Sequence, residues 1–280
     1  PCADSLVAVS AFSAVIASLL LIVQMALTGD ALFHELLFTP LGIVGMALVF
    51  AGIFFKLSMI PFHMWAPDVY EGAPAPVAAL LAMGSKAAAF AVLLRLVLAV
   101  FPPLGGMWLS LLAILAAVSM VGGNLMAFRQ TNIKRMLAYS SIAQAGYMMT
   151  AMVATNAAGI KAVLFYTMVY VFANVGAFVT VSYLETKRGG ADFTSVRGLA
   201  KDSLLPAGIL MVALLTMAGI PPTAGFVGKI YIFSAAIDAG YLWLAGVGFV
   251  MSMMSVYYYL LVIKEMFRDV ETDESMIDTP

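Results

Sequence analysis

Three lysines carry the chemistry that this sequence can do. Lys56 in "GIFFKLSMIPF", Lys86 in "LLAMGSKAAAFAVLL" and Lys229 in "GIPPTAGFVGKIYIF" each lie inside an apolar run. On insertion scales a lysine at mid-bilayer costs about 2.5–3.5 kcal/mol, so three would cost roughly 8–10 kcal/mol unless something offsets it. A lysine exchanges protons near neutral pH only if its pKa falls from about 10.4 by roughly three units. Burial away from water acts in that direction, and an approaching carboxylate reverses it. A buried lysine whose partner comes and goes is therefore a switchable proton site. No Asp or Glu falls in the middle of any apolar run. The carboxylate partner of these lysines is expected outside this chain.

Each lysine also has a plainer reading. Lys56 can snorkel to an interface along its four-carbon stem, or it can be sheltered by the break at Pro61, where freed carbonyls and water solvate an ammonium. Lys86 lies about a dozen residues into its run, where snorkelling reaches neither surface easily. Lys229 follows Pro221 and Pro222, with Gly219, Gly225 and Gly228 around it; a structural kink alone requires no lysine. His63, beside Trp65, reads as an interfacial residue or as a proton relay with an unperturbed pKa near 6.5. Arg95, near the end of its run, reads as an interfacial anchor. Neutral polar groups follow helical spacing: Ser140 with Gln144, and Tyr166 with Tyr170 and Asn174, with Tyr147, Asn124, Ser141 and Thr167 nearby. Residues four apart share a helical face. Such faces serve interhelical hydrogen bonding or a hydrated proton path, and Gln144, Tyr147, Tyr170 and Asn174 are the candidate relay groups.

The elements that must position these groups are membrane helices. The 280 residues are 63% hydrophobic and 10% charged, against about 25% charged in soluble domains. Mean hydropathy is +1.02. A net charge of -1 without a basic stripe excludes a nucleic-acid partner. The single cysteine, Cys2, supports neither an internal disulfide nor a metal site. There is no phosphate-cradling loop, and neither His34 nor His63 has a nucleophile beside it. The 20 methionines, scattered through the runs, read as packing or lipid-facing residues. No basic segment precedes the first apolar run, so no signal peptide is expected. The opening at Pro1 suggests a fragment or a processed chain.

A span needs about 20 apolar residues, and punctuation by turns and charges predicts about eight, at 5–28, 41–70, 75–101, 107–127, 134–153, 158–184, 204–237 and 241–266. The second and seventh are too long for one straight helix and carry internal breaks at 56–62 and 218–226. This arrangement sorts nine basic connection residues (Arg129, Lys134, Arg135, Lys187, Arg188, Arg197, Lys201, Lys264, Arg268) to one side and Lys161 alone to the other. The asymmetry places the basic side, with both ends of the segment, in the cytoplasm. The loop 186–203 is a polar linker, and the acidic tail 268–280 is too short to fold alone. A Pro-broken span with a lysine, followed by a long unbroken span, occurs at 41–101 and again at 204–266. The two units are offset by an odd number of spans, so they lie inverted, as in ion-translocating folds with broken helices.

The stretches "FKLSMIPFHMWAPDVYEGAPAPVAALLAMGSKAAAFAVLLRL" (55–96), "RQTNIKRMLAYSSIAQAGYMM" (129–149) and "MAGIPPTAGFVGKIYIF" (217–233) resemble the antiporter-like N subunit of NADH-quinone oxidoreductase, respiratory complex I. "APDVYEGAP" resembles the N subunit more than its L and M relatives. The resemblance covers about 40–265. It implies an all-α polytopic membrane protein of the inverted-repeat antiporter-like fold, about eight transmembrane helices being present here, two of them broken. Residues 1–103 would close the first repeat (family helices six to eight), 104–267 would form the second inverted repeat (helices nine to thirteen), and 268–280 would be a polar tail. By the same resemblance Lys56 matches the lysine of the first broken helix, Lys86 the central-axis lysine and Lys229 the lysine of the second broken helix.

The resemblance further implies a proton path coupled to quinone reduction elsewhere in the complex. NADH, FMN, Fe-S clusters and quinone would be used by other subunits, and this chain would hold no cofactor. Other membrane subunits and the lipid bilayer would be its partners, and a bacterial inner membrane its location. Departures from the pattern are the missing helices one to five, with the glutamate that pairs with the Lys56 position, the missing last helix, Gln144 where many relatives have histidine, and Asp4 with Ala8 where relatives often carry Glu and Lys. Two other expectations stay open: a subunit of a cation/proton antiporter or membrane-bound hydrogenase, and a structural membrane scaffold.

Overall fold

The computed structural model describes residues 39–99 and 106–269. The span expected at 5–28, with Asp4 and Ala8, lies outside them. The described chain is helical. Helix α1 (Pro40–Leu57) and the short α2 (Trp65–Gly72) are the two halves of the first broken span, and α3 (Ala75–Ala99) follows. Next come α4 (Gly106–Ala127), α5 (Ile133–Val153) and the long α6 (Ala157–Arg188). Two short turns of helix, α7 (Phe193–Val196) and α8 (Leu199–Asp202), occupy the polar linker. The second broken span is α9 (Leu204–Ala218) and α10 (Ala224–Asp238), and α11 (Leu242–Phe267) ends the described fold. Four of these helices, α3, α4, α6 and α11, are long and apolar enough to cross a membrane.

Local sequence explains the boundaries. Thr39 caps α1, its hydroxyl accepting from Gly42 N at 3.1 Å, with Pro40 in the first turn where no amide donor is needed. Asn132 and Asn156 cap α5 and α6 in the same way, accepting from Arg135 N at 3.2 Å and Gly159 N at 2.7 Å. Helix α6 runs past the expected 184 to Arg188 and stops at Gly189, which takes a left-handed φ of 73°.

Both breaks use one backbone device. At the first, Ser58 is left-handed (φ 58°), with Ser58 N donating to Phe55 O at 3.0 Å and Met59 N to Phe54 O at 2.9 Å. At the second, Gly219 is left-handed (φ 79°), with Gly219 N donating to Leu215 O at 3.0 Å and Ile220 N to Leu215 O at 3.2 Å. A proline follows three residues after Ser58 and two after Gly219, and prevents the helix from resuming at once.

Helix α5 is the axis. From Ser140 to Val153 every residue is buried, so its hydroxyls and amide never face lipid. Helix α4 packs on it closely enough that a Cβ at Gly123 would stand 2.6 Å from Ala143 N, and one at Gly146 2.8 Å from Ala116 O. Small residues permit this approach, and dispersion rewards it where lipid supplies no hydrophobic drive between helices. Helix α6 packs against α3, α5, α9 and α10, and α11 against α4, α9 and α10.

The linker is more ordered than its composition suggests. Asn132 bridges to Asp192, and Arg188 donates to the carbonyls of Ser195 and Arg197, each at 2.7 Å, while its other nitrogen pairs with Asp202. Arg197 and Arg268 both reach Glu265, at 3.1 and 3.2 Å. One sequence assignment needs refinement here. Lys134, read as a connection residue, is buried in the first turn of α5, where it pairs with Glu185 at 2.6 Å and donates to Ala73 O at 2.9 Å. Hydropathy could not place it, because its burial depends on Glu185 of α6 arriving from 51 positions away in the chain.

Candidate functional site

Lys86 lies on α3 with 1% of its surface exposed. Its Nζ donates to Ser141 O at 2.9 Å and Ser141 Oγ at 2.8 Å, and Ser141 Oγ passes its own proton to Ala138 O at 2.7 Å. Lys229 lies on α10, 3% exposed. Its Nζ donates to Ala218 O at 2.7 Å and Ser252 Oγ at 2.8 Å, and sits 4.9 Å from the centroid of the Tyr147 ring, a geometry in which the ring quadrupole attracts a cation. The Ala218 carbonyl is available because α9 ends there and leaves its last carbonyls without helical partners. A Cβ at Gly219 would stand 2.8 Å from Lys229 Cδ. Glycine therefore serves twice at this position, by its φ and by the room that it leaves.

Between the two lysines runs a row of neutral polar groups carried by α5. Ser140, next to Ser141, hydrogen-bonds the Tyr259 hydroxyl of α11. Gln144, one turn on, donates through Nε2 to that hydroxyl at 3.3 Å and to Met217 O at 3.0 Å, and its Oε1 accepts from Tyr166 Oη at 2.6 Å. Met217 and Ala218 offer adjacent carbonyls at the end of α9, so Gln144 and Lys229 share one helix terminus. Beyond Lys229, Tyr147 Oη accepts from Asn124 Nδ2 at 3.2 Å, and Tyr258 Oη donates to Asn124 Oδ1 at 3.0 Å. The order is Lys86, Ser141, Ser140, Tyr259, Gln144, the end of α9, Lys229, then Tyr147, Asn124 and Tyr258. Hydroxyls and amides of this kind both donate and accept, so they can pass a proton or hold water that does. Among the described residues no carboxylate touches Lys86 or Lys229, and no group of three His, Cys, Asp or Glu could hold a metal.

Other candidates fall differently. Lys56 is half-buried in the last turn of α1. His63 lies in the first break, partly exposed, its Nδ1 3.3 Å from Pro61 O, and it does not join the row. Tyr170 is buried, its hydroxyl without a geometric hydrogen bond among the described residues, and Asn174 donates to Tyr170 O at 2.8 Å within its own helix. Arg95 is exposed on α3. Sequence reasoning missed Ser252, Tyr258 and Tyr259. A signal was present, since Ser252, Ser255 and Tyr259 repeat at helical spacing within "MSMMSVYYYLL" and form a polar stripe on an apolar helix.

The family described as NADH:quinone oxidoreductase/Mrp antiporter, TM, matches residues 5–255. The NADH-quinone oxidoreductase subunit N of Desulforamulus reducens is 54% identical over 231 residues, 82% of this chain and 48% of that protein. A chain of respiratory complex I from Thermus thermophilus superposes with a TM-score of 0.75 at 36% identity, covering 94% of this chain and 58% of its own. A chain of the Mrp complex from Dietzia sp. shares the fold with a TM-score of 0.83 at 23% identity, over 97% of this chain and 52% of its own. The chain spans about half the length of the curated relatives that it matches.

Proposed function

This chain belongs to the NADH:quinone oxidoreductase/Mrp antiporter transmembrane family, and we propose that it forms the central part of a proton-translocating membrane subunit of an NADH-quinone oxidoreductase. The observation that carries this reading is the row of buried polar groups between two fully buried lysines, each solvated by carbonyl and hydroxyl oxygens rather than by a carboxylate. Ion pairing would hold the charge in place. Neutral solvation leaves each lysine free to respond to a charge arriving from outside.

In this mechanism Lys56, at the first break, receives or releases the proton on the side of the first half-repeat. Lys86 occupies the centre, and Ser141, Ser140, Tyr259 and Gln144 relay between it and Lys229, with Tyr147 and Asn124 continuing beyond. The Gln144 amide holds its neighbours in register and cannot itself take up a full proton near neutral pH, so transfer past it runs through water or through the Tyr259 and Tyr166 hydroxyls. The matching left-handed caps at Ser58 and Gly219 support residues 1–103 as the end of one repeat and 104–267 as its inverted counterpart, with 268–280 a tail. NADH, FMN, Fe-S clusters and quinone belong to other subunits of such a complex, and the partners of this chain are neighbouring membrane subunits in a bacterial inner membrane.

The test is proton release per quinone reduced in membranes carrying the full-length subunit with Lys86→Ala, with assembly checked on the same sample. The expected result is an assembled complex whose proton release falls on the order of tenfold or more. Normal pumping by an assembled variant would reduce the row to a structural scaffold.

A further inference from the structure

The buried pair Lys134–Glu185 takes no part in the polar row, and each member stands at the wrong end of its own helix. Lys134 lies in the first turn of α5 and Glu185 near the end of α6, whereas the helix macrodipole favours anions at the N-terminus and cations at the C-terminus. Local preference explains neither residue; their contacts do. Glu185 Oε1 pairs with Lys134 Nζ at 2.6 Å, Glu185 Oε2 accepts from Ala75 N at 3.2 Å, and Lys134 Nζ donates to Ala73 O at 2.9 Å. The three contacts close a ring around the turn that joins α2 to α3. That turn, "GAPAPV" (72–77), has no Ser, Thr, Asp or Asn to cap the helix that follows. A carboxylate from α6 supplies the acceptor for the first amide of α3, at the helix end where negative charge is favoured.

Helix α3 needs such an anchor. Lys86 follows Ala75 by eleven residues, three turns, and so shares its face. Between them that face carries Ala78, Ala79 and Ala82, all buried, and α3 packs on α6. A run of methyl groups offers shallow ridges, so little opposes sliding of one helix along the other. Lys86 must nonetheless bring its Nζ to 2.9 Å from Ser141 O and 2.8 Å from Ser141 Oγ. Ser141 lies on α5, seven positions beyond Lys134, so the turn and the ammonium are held to the same helix, at its start and two turns further in. We propose that Lys134 and Glu185 are positioning residues for Lys86: by gripping the carbonyl and the amide of the α2–α3 turn, they set the axial register in which the ammonium meets Ser141. Neighbouring Arg135 holds α2 through Asp68 at 2.8 Å and Glu71 at 2.7 Å. Those contacts are more exposed, and they leave the turn itself to the buried pair.

This inference rests on the proposed proton path only for its effect on pumping; the register is tested by itself. A map of the assembled complex carrying Lys134→Met should show α3 shifted along its axis and Lys86 Nζ out of hydrogen-bond distance of Ser141. Proton release per quinone reduced should fall roughly tenfold, as expected when a reacting group is misplaced by a remote change. Lys134→Arg, which can still donate to both Ala73 O and Glu185, should retain most of the release. Exchanging the charges, Lys134→Glu with Glu185→Lys, keeps an opposite pair but turns each member toward the wrong backbone group, so release should stay low in the assembled complex. Recovery in the exchanged protein overturns the proposal, because an ordinary ion pair between α5 and α6 would then suffice. So does an assembled Lys134→Met complex that keeps Lys86 on Ser141. Should Lys134→Met fail to assemble, Glu185→Gln is the milder probe: longer Lys86–Ser141 contacts and a roughly twofold to threefold fall are expected, and unchanged contacts overturn the proposal. If Lys86→Ala pumps normally while Lys134→Met displaces Lys86, the proton path fails and the register clamp stands. If Lys86→Ala abolishes pumping while Lys134→Met leaves Lys86 in place, the path stands and the clamp fails.

Discussion

The two helix breaks share a backbone motif and differ in which side chains take their carbonyls. At the second break the carbonyls released at the end of α9 are turned inward. Ala218 O accepts from Lys229 and Met217 O from Gln144. At the first break Phe55 O accepts from Trp65 Nε1 at 2.9 Å, and the adjacent Lys56 is half-buried. A break supplies carbonyls, and the surrounding side chains decide which donors take them. The left-handed residue differs too. Gly219 adopts its φ without cost, whereas Ser58 carries a Cβ at φ 58° and a buried hydroxyl without a partner among the described residues.

The contrast breaks most visibly through the lysines. Lys229→Ala removes the cation from the break that solvates it, and coupled proton release is expected to fall roughly tenfold or more, against a few-fold for Lys56→Ala; equal losses would erase the distinction. Next come the caps, where serine and glycine exchanged between the breaks should act with opposite signs. Gly219→Ser incurs about 1–2 kcal/mol for the left-handed conformation, and its Cβ meets Lys229 Cδ at 2.8 Å, so thermal unfolding in detergent should occur several degrees lower. Ser58→Gly relieves that strain and removes an unsatisfied hydroxyl. It should stabilise by about 1 kcal/mol or less, because added freedom in the unfolded chain offsets part of the gain. Trp65→Phe sharpens the comparison by leaving Phe55 O to Ser58 N alone, at an expected cost of about 1 kcal/mol in the same melts. The smallest effect belongs to Arg135→Gln. Its partner Asp68 is exposed, so roughly 0–1 kcal/mol is at stake, and the difference from the parent should shrink in about 1 M salt, where charges are screened beyond about 3 Å.

Much of the fold was legible because its determinants are local. Pro61, Pro221 and Pro222 located the breaks to within a few residues, and the starts expected at 134 and 158 fall one residue from those of α5 and α6. Lys86 and Lys229 were singled out by depth within an apolar run, and both are buried. The candidate relays divide more sharply. Helical spacing placed Gln144 with Ser140 and Tyr166 with Tyr170 and Asn174, yet Gln144 reaches across to three other helices while Asn174 satisfies its own backbone. Spacing states which side chains share a face; it does not state what stands opposite. Tyr259 and Ser252 escaped notice for the same reason, since their importance comes from partners 115 positions away at Gln144 and 23 positions away at Lys229. Lys134 was assigned by its place in a connection and proved to be half of a buried ion pair with Glu185.

By itself the sequence determined that this chain is a bundle of membrane helices with two proline-marked interruptions and lysines set where a bilayer penalises them. Those facts follow from transfer free energies and backbone sterics, which act residue by residue. Only the tertiary structure decided that Lys86 and Lys229 stand at two points of one series of buried polar groups, and that the second break turns its carbonyls toward Lys229 and Gln144. Hydrogen bonds are short and directional, so their pairing depends on the rotation and approach of helices far apart in the chain, and no local property of the sequence encodes that.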